Sequence, residues 1–218
     1  MFKKSSIIFV SIFMLLVGCG GSAEKEAVTS TKFPFETGKI SYSTNGYDQD
    51  TFITFTGERV LIFKDWGNVI VEKSTRQDTD DTGAVVEITS LEKWDNGYYY
   101  GVDFYYKEIY KSEITEDTYT PFIYPDVTKN RINTSALQVM WTEEVIDTTC
   151  LNYLMSDVEY STSTTWCVFK DKIILKEVVD ISAIGHYETT IANDIQFDIE
   201  LSDDLFELPD FPEEEFQY

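Results

Sequence analysis

Histidine occurs once in this sequence, at His186, cysteine three times and proline five times. A single histidine leaves no His or Cys cluster with metal-ligand spacing and no marked base beside a thiol, which argues against zinc centres and cysteine nucleophiles. A nucleophile elbow and a phosphate-binding glycine loop are missing as well. Basic side chains are scarce: 17 Lys and Arg stand against 39 Asp and Glu, for a formal charge of −22. A field of that sign repels nucleic acid and anionic lipid surfaces, so neither is expected as a partner. The acids are scattered as solvated faces, apart from Asp78-Thr79-Asp80-Asp81 and Glu213-Glu214-Glu215. The first run lacks the glycine and closing glutamate of a calcium loop, so no metal site is assigned. Paired carboxylates are inevitable at this acid content and say nothing of glycoside chemistry. His186 follows Gly185 at an expected turn and reads as a surface or packing residue. Neither a catalytic residue nor a cofactor is expected.

Long apolar runs are also missing. Ile7 to Val17 is the one marked apolar segment, and it has the length of an export signal rather than of a permanent bilayer span. Lys3 and Lys4 precede it, and Leu16-Val17-Gly18-Cys19 follows it. That order resembles the bacterial lipobox, which implies cleavage before Cys19 and a diacylglycerol on its thiol. Each buried methylene of such chains contributes about 0.8 kcal/mol, so two or three chains anchor a protein stably without a membrane-crossing segment. Residues 1–18 are therefore expected to be a lipoprotein signal peptide, and 19–32, small and polar, a lipidated cysteine with a flexible tether. Gly20 rather than Asp after the cysteine implies an outer-membrane address facing the periplasm. The processed chain carries 39 acidic and 15 basic side chains.

Residues 33–210 suit one domain, with 211–218 as an acidic tail. Strand signals dominate it. Tyr98, Tyr100, Val102, Phe104 and Tyr106 share one parity behind Asp95-Asn96-Gly97, a tight-turn signature. Ile191, Ile195, Phe197, Ile199 and Leu201 share another, with Asn193 the polar exception. Asn45-Gly46 and Trp66-Gly67-Asn68 read as further turns. Ser135-Ala136-Leu137-Gln138 has the spacing of a capping box and predicts a short helix through Val139, Met140, Trp141 and Val145. Cys150 and Cys167 lie in strand-like stretches on either side of a turn near Asp157-Val158-Glu159; a disulfide and two free buried thiols both fit.

Several stretches resemble, in order, the periplasmic lipoprotein carriers of the LolA/LolB type and the small outer-membrane lipoproteins that share their fold. Gly38-Lys39-Ile40-Ser41-Tyr42 is similar to their first strand, and Phe63-Lys64-Asp65-Trp66-Gly67 to a Phe-Asp-x-Tyr-Gly turn. Asp95 to Asp103 resembles an Asp-Gly hairpin with an aromatic strand, and Cys150 falls where a Gly-x-x-Cys strand is usual. Trp166 to Lys176 resembles a tryptophan strand with a returning strand ending in Leu-Lys. Asp203-Asp204-Leu205-Phe206-Glu207-Leu208-Pro209 is similar to the closing Leu-Phe-x-x-Pro. Asp147-Thr148-Thr149 departs from the pattern, and Gln77 to Val86 has no counterpart. The resemblance implies a mainly β (α+β) fold: a strongly curved antiparallel sheet, an open half-barrel with a short covering helix and an apolar interior.

Two functions follow as expectations. One is an anchored protein whose apolar concavity holds a lipid, an acylated protein or another amphiphile, with Tyr98, Tyr100, Phe104, Ile195, Phe197 and Ile199 facing the ligand. The other is an envelope interaction protein whose core is filled by its own side chains. Sequence pattern leaves the oligomeric state open.

Overall fold

The computed structural model describes residues 33–114, 138–157 and 161–215. The expected signal segment and Cys19, the stretch with Pro121 and Pro125, and Val158-Glu159 of the expected turn lie outside these residues. The described chain builds one open sheet of twelve strands. They are β1 (Gly38–Asp48), β2 (Ile53–Lys64), β3 (Val69–Thr79), β4 (Val85–Asp95), β5 (Tyr98–Asp103), β6 (Glu108–Glu113), β7 (Gln138–Val145), β8 (Thr148–Asp157), β9 (Thr162–Phe169), β10 (Ile173–Ile181), β11 (His186–Phe197) and β12 (Glu213–Glu215). Their spatial order is β12-β6-β5-β4-β3-β2-β1-β11-β10-β9-β8-β7. Two meanders thus meet where β1 pairs antiparallel with β11, from Gly38 opposite Phe197 to Asp48 opposite His186. The short strand β12 is the parallel exception, lying beside β6.

Turn chemistry fixes several of these joints. Asn96 and Gly97 both take positive φ, 49° and 90°, as a tight two-residue hairpin demands. Asp65, Trp66 and Gly67 do likewise, at 52°, 58° and 83°. The segment before β1 docks on that second turn: Phe33 N–H donates to the Trp66 carbonyl at 2.9 Å, and Trp66 N–H to the Glu36 carbonyl at 3.1 Å.

Both sheet faces are apolar in part. On the core face, Ile40, Tyr42, Leu61, Phe63, Ile70 and Trp94 pack with Val145, Cys150, Cys167, Ile173, Leu175 and Ala192, and Phe33 lies among them. Residues from both meanders therefore share one core. Glu143 of β7 reaches Lys176 of β10 at 2.6 Å, across the two strands that separate them. Strands lie about 4.8 Å apart, so in a flat sheet that gap is roughly 14 Å; the sheet is not flat between β7 and β10. On the other face Leu201, Leu205, Phe206 and Leu208, from the segment after β11, cover Ile62, Val69, Val71 and Leu91. Lys64 secures that strap, bonding Asp203 at 2.7 Å and lying 4.5 Å over the Phe206 ring.

Four features differ from the sequence reading. Residues 138–145 form strand β7 and no covering helix, and no α-helix occurs among the described residues. Cross-strand pairing with β8 overrides the capping-box signal, and Val139, Trp141, Thr142 and Val145 suit a pleated surface as well as a helix. Asn45-Gly46 lies inside β1 rather than at a turn. There a Cβ on Gly46 would stand 2.2 Å from the Phe55 ring, so the glycine admits that ring against the strand. The alternation from Ile191 to Leu201 is broken twice. β11 ends at Phe197, and Asn193 is the extra residue of a bulge, because Ser41 pairs with Asp194 and Tyr42 with Ala192. The bulge turns exposed Asn193 outward and sets Thr190 and Ala192, both buried, on the inner parity with Ile195 and Phe197. Finally, Glu213–Glu215 of the expected tail adds an edge strand beside Ile109, Tyr110 and Lys111.

Candidate functional site

Charged side chains stand on the inward parity of four central strands, where apolar residues are the rule. Arg59 shares the parity of Phe55, Leu61 and Phe63 and faces Tyr42 across β1 and β2, its guanidinium 5.3 Å from the ring centre. A guanidinium nitrogen of Arg59 lies 3.8 Å from Glu72 on β3. Glu72 in turn stands directly opposite Glu92 on β4. Glu177 of β10 adds its charge to the same region and accepts a hydrogen bond from the Trp166 indole N–H at 2.8 Å.

Burial governs the protonation of this group. The Glu72 side chain is 9% exposed, and desolvation lifts its carboxyl to about 8; Arg59 pulls it down, while Glu92 and Glu177 push it further up. Glu92 is raised too, chiefly by burial, against a hydrogen bond from the Tyr99 hydroxyl and the pull of Arg59. Burial pushes the Tyr42 hydroxyl well above the usual phenol range, and that hydroxyl donates to the Ile174 carbonyl at 2.9 Å. Among the described residues, Oε2 of Glu72 and the indole N–H of Trp94 are buried without a hydrogen-bond partner. Trp94 lies two residues beyond Glu92 on the same strand face, so donor and acceptor are neighbours across β3 and β4.

Beside the cluster runs a groove of about 610 Å³, lined among others by Glu87, Glu92, Tyr99, Gly101, Asp103 and Tyr110. Gly101 stands opposite Glu92 on one side and Tyr110 on the other, and so forms the floor. A side chain there would crowd the Tyr99 hydroxyl, 3.0 Å from an added Cβ. The volume lies within the range of small-molecule sites, about 300 to 1,000 Å³.

Comparison with known proteins gives likeness of outline. No sequence family matches the chain, and no curated protein matches it. Among solved structures it is similar to an uncharacterised conserved protein of Thermus thermophilus, at 4% identity and TM-score 0.45, over 81% of this chain and 90% of that one. It is similar to MucB, known from Pseudomonas aeruginosa in complex with MucA, at 7% identity and TM-score 0.47, over 83% of this chain and 60% of MucB. A domain named for outer-membrane lipoprotein sorting, from Vibrio parahaemolyticus, matches at 8% identity and TM-score 0.32, over 80% of this chain and 91% of that one. At such scores neither a function nor a partner comes with them.

The six residues expected to face a ligand do not share one wall. Ile195 and Phe197 pack against the core cluster, with the Phe197 ring stacked 3.9 Å from that of Phe35. Tyr98 and Tyr100 lie on the opposite face, since it is Tyr99 that pairs with buried Trp94, ring centres 5.5 Å apart. Their rings carry Lys111 instead, at 4.7 and 5.5 Å. Phe104 is exposed at the strand end and meets Phe211 edge-on. Ile199 lies beyond β11, its carbonyl accepting from the Thr37 hydroxyl at 2.7 Å. The aromatic parity of β5 was visible in the sequence, but its direction was not, because Tyr98, Tyr99 and Tyr100 are alike.

The residues the motifs missed, Arg59, Glu72 and Glu92, did leave a trace: charge on the parity of Phe55, Leu61, Phe63 and Ile70. His186 sits 3.4 Å from Asp48, 3.8 Å from Glu188 and 5.9 Å from the Phe55 ring, with no nucleophile among those partners. Asp80 spends its carboxylate on its own hairpin, accepting from the Thr82 and Ala84 N–H groups, and Asp78 pairs with Arg76. No group able to hold a metal ion occurs among the described residues. Cys150 and Cys167 are bonded to each other, closing the choice that the sequence left open.

Proposed function

We propose that the chain is a lipoprotein, anchored through Cys19 to the periplasmic side of the outer membrane, that binds a lipid, an acylated protein or another amphiphile without catalysis. The sheet acts as a strongly curved open half-barrel, with the core face as its concave wall. The observation that carries this reading is the groove of about 610 Å³ along β4, β5 and β6, next to an apolar cluster drawn from both meanders. Removing apolar surface from water at roughly 25 cal/mol per Å² supplies the driving force, and the buried polar band fixes the ligand's orientation.

Binding is tested with a neutral apolar dye that fluoresces on leaving water. The Cys19→Ser chain, prepared without detergent, brightens the dye, and decanol displaces it; an unchanged dye spectrum refutes the reading. The anchor is tested by feeding cells labelled palmitate, with label on the parent and none on the Cys19→Ser chain.

A second reading has its own support. Phe33 lies 4.4 Å from Phe63 and Phe35 3.9 Å from Phe197, so the segment before β1 supplies the core with its own aromatics. On that reading the interior is filled and the acidic exterior meets an envelope partner.

A further inference from the structure

The buried band on the core face holds more carboxyls than cations. Arg59 is the cation that acts on both Glu72 and Glu92, and Glu177 adds a third carboxyl to the field at Glu72. Like charges placed directly across a strand pair repel, and burial deprives them of the water that screens them. Glu72 answers this by holding its proton, with a carboxyl raised to about 8, yet its Oε2 is buried without a hydrogen-bond partner. Ionised in that position, the carboxyl would be a buried negative charge with too little positive charge beside it. Glu92, directly opposite, lines a groove whose other walls include the rings of Tyr99 and Tyr110. Carboxylates beside aromatic rings are the surroundings in which organic ammonium ions are recognised. An anionic head group meets repulsion in the same place.

Building on the amphiphile reading above, we infer that the polar end of the ligand is an organic cation, an alkylammonium group seated in the groove against Glu92 and the rings of Tyr99 and Tyr110, with buried Glu72 directly opposite Glu92 on the neighbouring strand. Its apolar chain lies against the core face. The groups that face Glu72 are Tyr42 on β1, Arg59 on β2, Glu92 on β4 and Glu177 on β10. A guest cation adds the missing positive charge, so the Glu72 carboxyl ionises as the ligand enters and its proton passes to the buffer. Binding near neutral pH is therefore coupled to proton release.

Titration calorimetry on the Cys19→Ser chain tests this, with decyltrimethylammonium, decyl sulfate and decanol, each below its micelle concentration. The cation binds at least about tenfold tighter than the sulfate, the difference expected from one charge-assisted contact. Repeated at pH 7 in two buffers of different ionisation enthalpy, the cation releases protons and decanol releases none. Glu92→Gln lowers the affinity for the cation and leaves decanol unchanged. Glu72→Gln still binds decanol and abolishes the proton release; should either variant fail to fold, the release measured on the parent chain in the two buffers still decides, and its absence overturns the proposal. If decanol binds while cation and sulfate bind alike, the cationic head group is wrong and the amphiphile reading stands. If none of the three binds, the amphiphile reading itself fails.

Discussion

The rings of Phe35 and Phe197 lie nearly parallel, 5° apart, with centres separated by 3.9 Å. This stack ties the segment before β1 to the end of β11, and Lys170 closes over the Phe35 ring at 4.3 Å. Phe35 is partly buried against the core cluster, so truncation removes packing without emptying the centre. Phe35→Ala is expected to cost about 2 kcal/mol, below the range for fully buried aromatics. Urea unfolding measures it. Dye uptake that rises sharply in this variant favours the self-filled interior over the ligand-holding one.

Glu72 makes stability depend on pH in a direction opposite to that of a salt-bridged acid. Unfolded, its carboxyl titrates near 4.5; folded, near 8. Between those values the folded chain retains a proton that the unfolded chain has lost. The contribution therefore falls as pH rises through this window and levels off above about 8. Glu72→Gln has no proton to lose, so its stability relative to the parent improves from pH 5 to pH 8.5, by a few kcal/mol. Parallel stability curves for the two proteins remove the buried-carboxyl account.

Cys150 on β8 bonds Cys167 on β9, 17 residues apart in sequence, within the core cluster. Closing a loop of this size stabilises by roughly 3 kcal/mol. Melting with and without reductant, and of the Cys150→Ala/Cys167→Ala chain, should show that loss. The double variant is expected to keep dye binding, since the bridge lies among strands that do not line the groove.

His186→Ala is expected to leave dye binding unchanged and stability nearly so. Its ring bridges Asp48 and Glu188 at 3.4 and 3.8 Å, contacts that belong to the rim of β1 and β11. Asp48 keeps its lowered carboxyl mainly through the Thr51 N–H and hydroxyl. A hydrolytic activity on any envelope ester that vanishes in this variant overturns the non-enzymatic reading.

Legibility in the sequence followed the range of the forces involved. Local chemistry was readable: Asn96-Gly97 announced its hairpin because only certain residues accept positive φ cheaply. Long-range effects were not readable. Gly46 looked like a turn because a glycine that bends the chain and one that admits the Phe55 ring are spelled alike. The Asn193 bulge could be set only by the register between β1 and β11. Ser135-Ala136-Leu137-Gln138 spelled a helix start, yet pairing with β8 decided the state of Gln138–Val145. The site fared likewise. Apolar inner residues Ile195 and Phe197 were anticipated, whereas the polar band arises from Arg59, Glu72, Glu92 and Glu177, which stand far apart in sequence on β2, β3, β4 and β10 and act on one another only in the folded sheet.

The ligand-holding interior is tested most directly by native mass spectrometry of the Cys19→Ser chain, purified without detergent at any step. The account predicts a second population heavier than the bare polypeptide by the mass of one small amphiphile, lost on extraction with organic solvent and diminished in Glu92→Gln. A single species at the polypeptide mass, unchanged after incubation with decyltrimethylammonium or decanol, contradicts it.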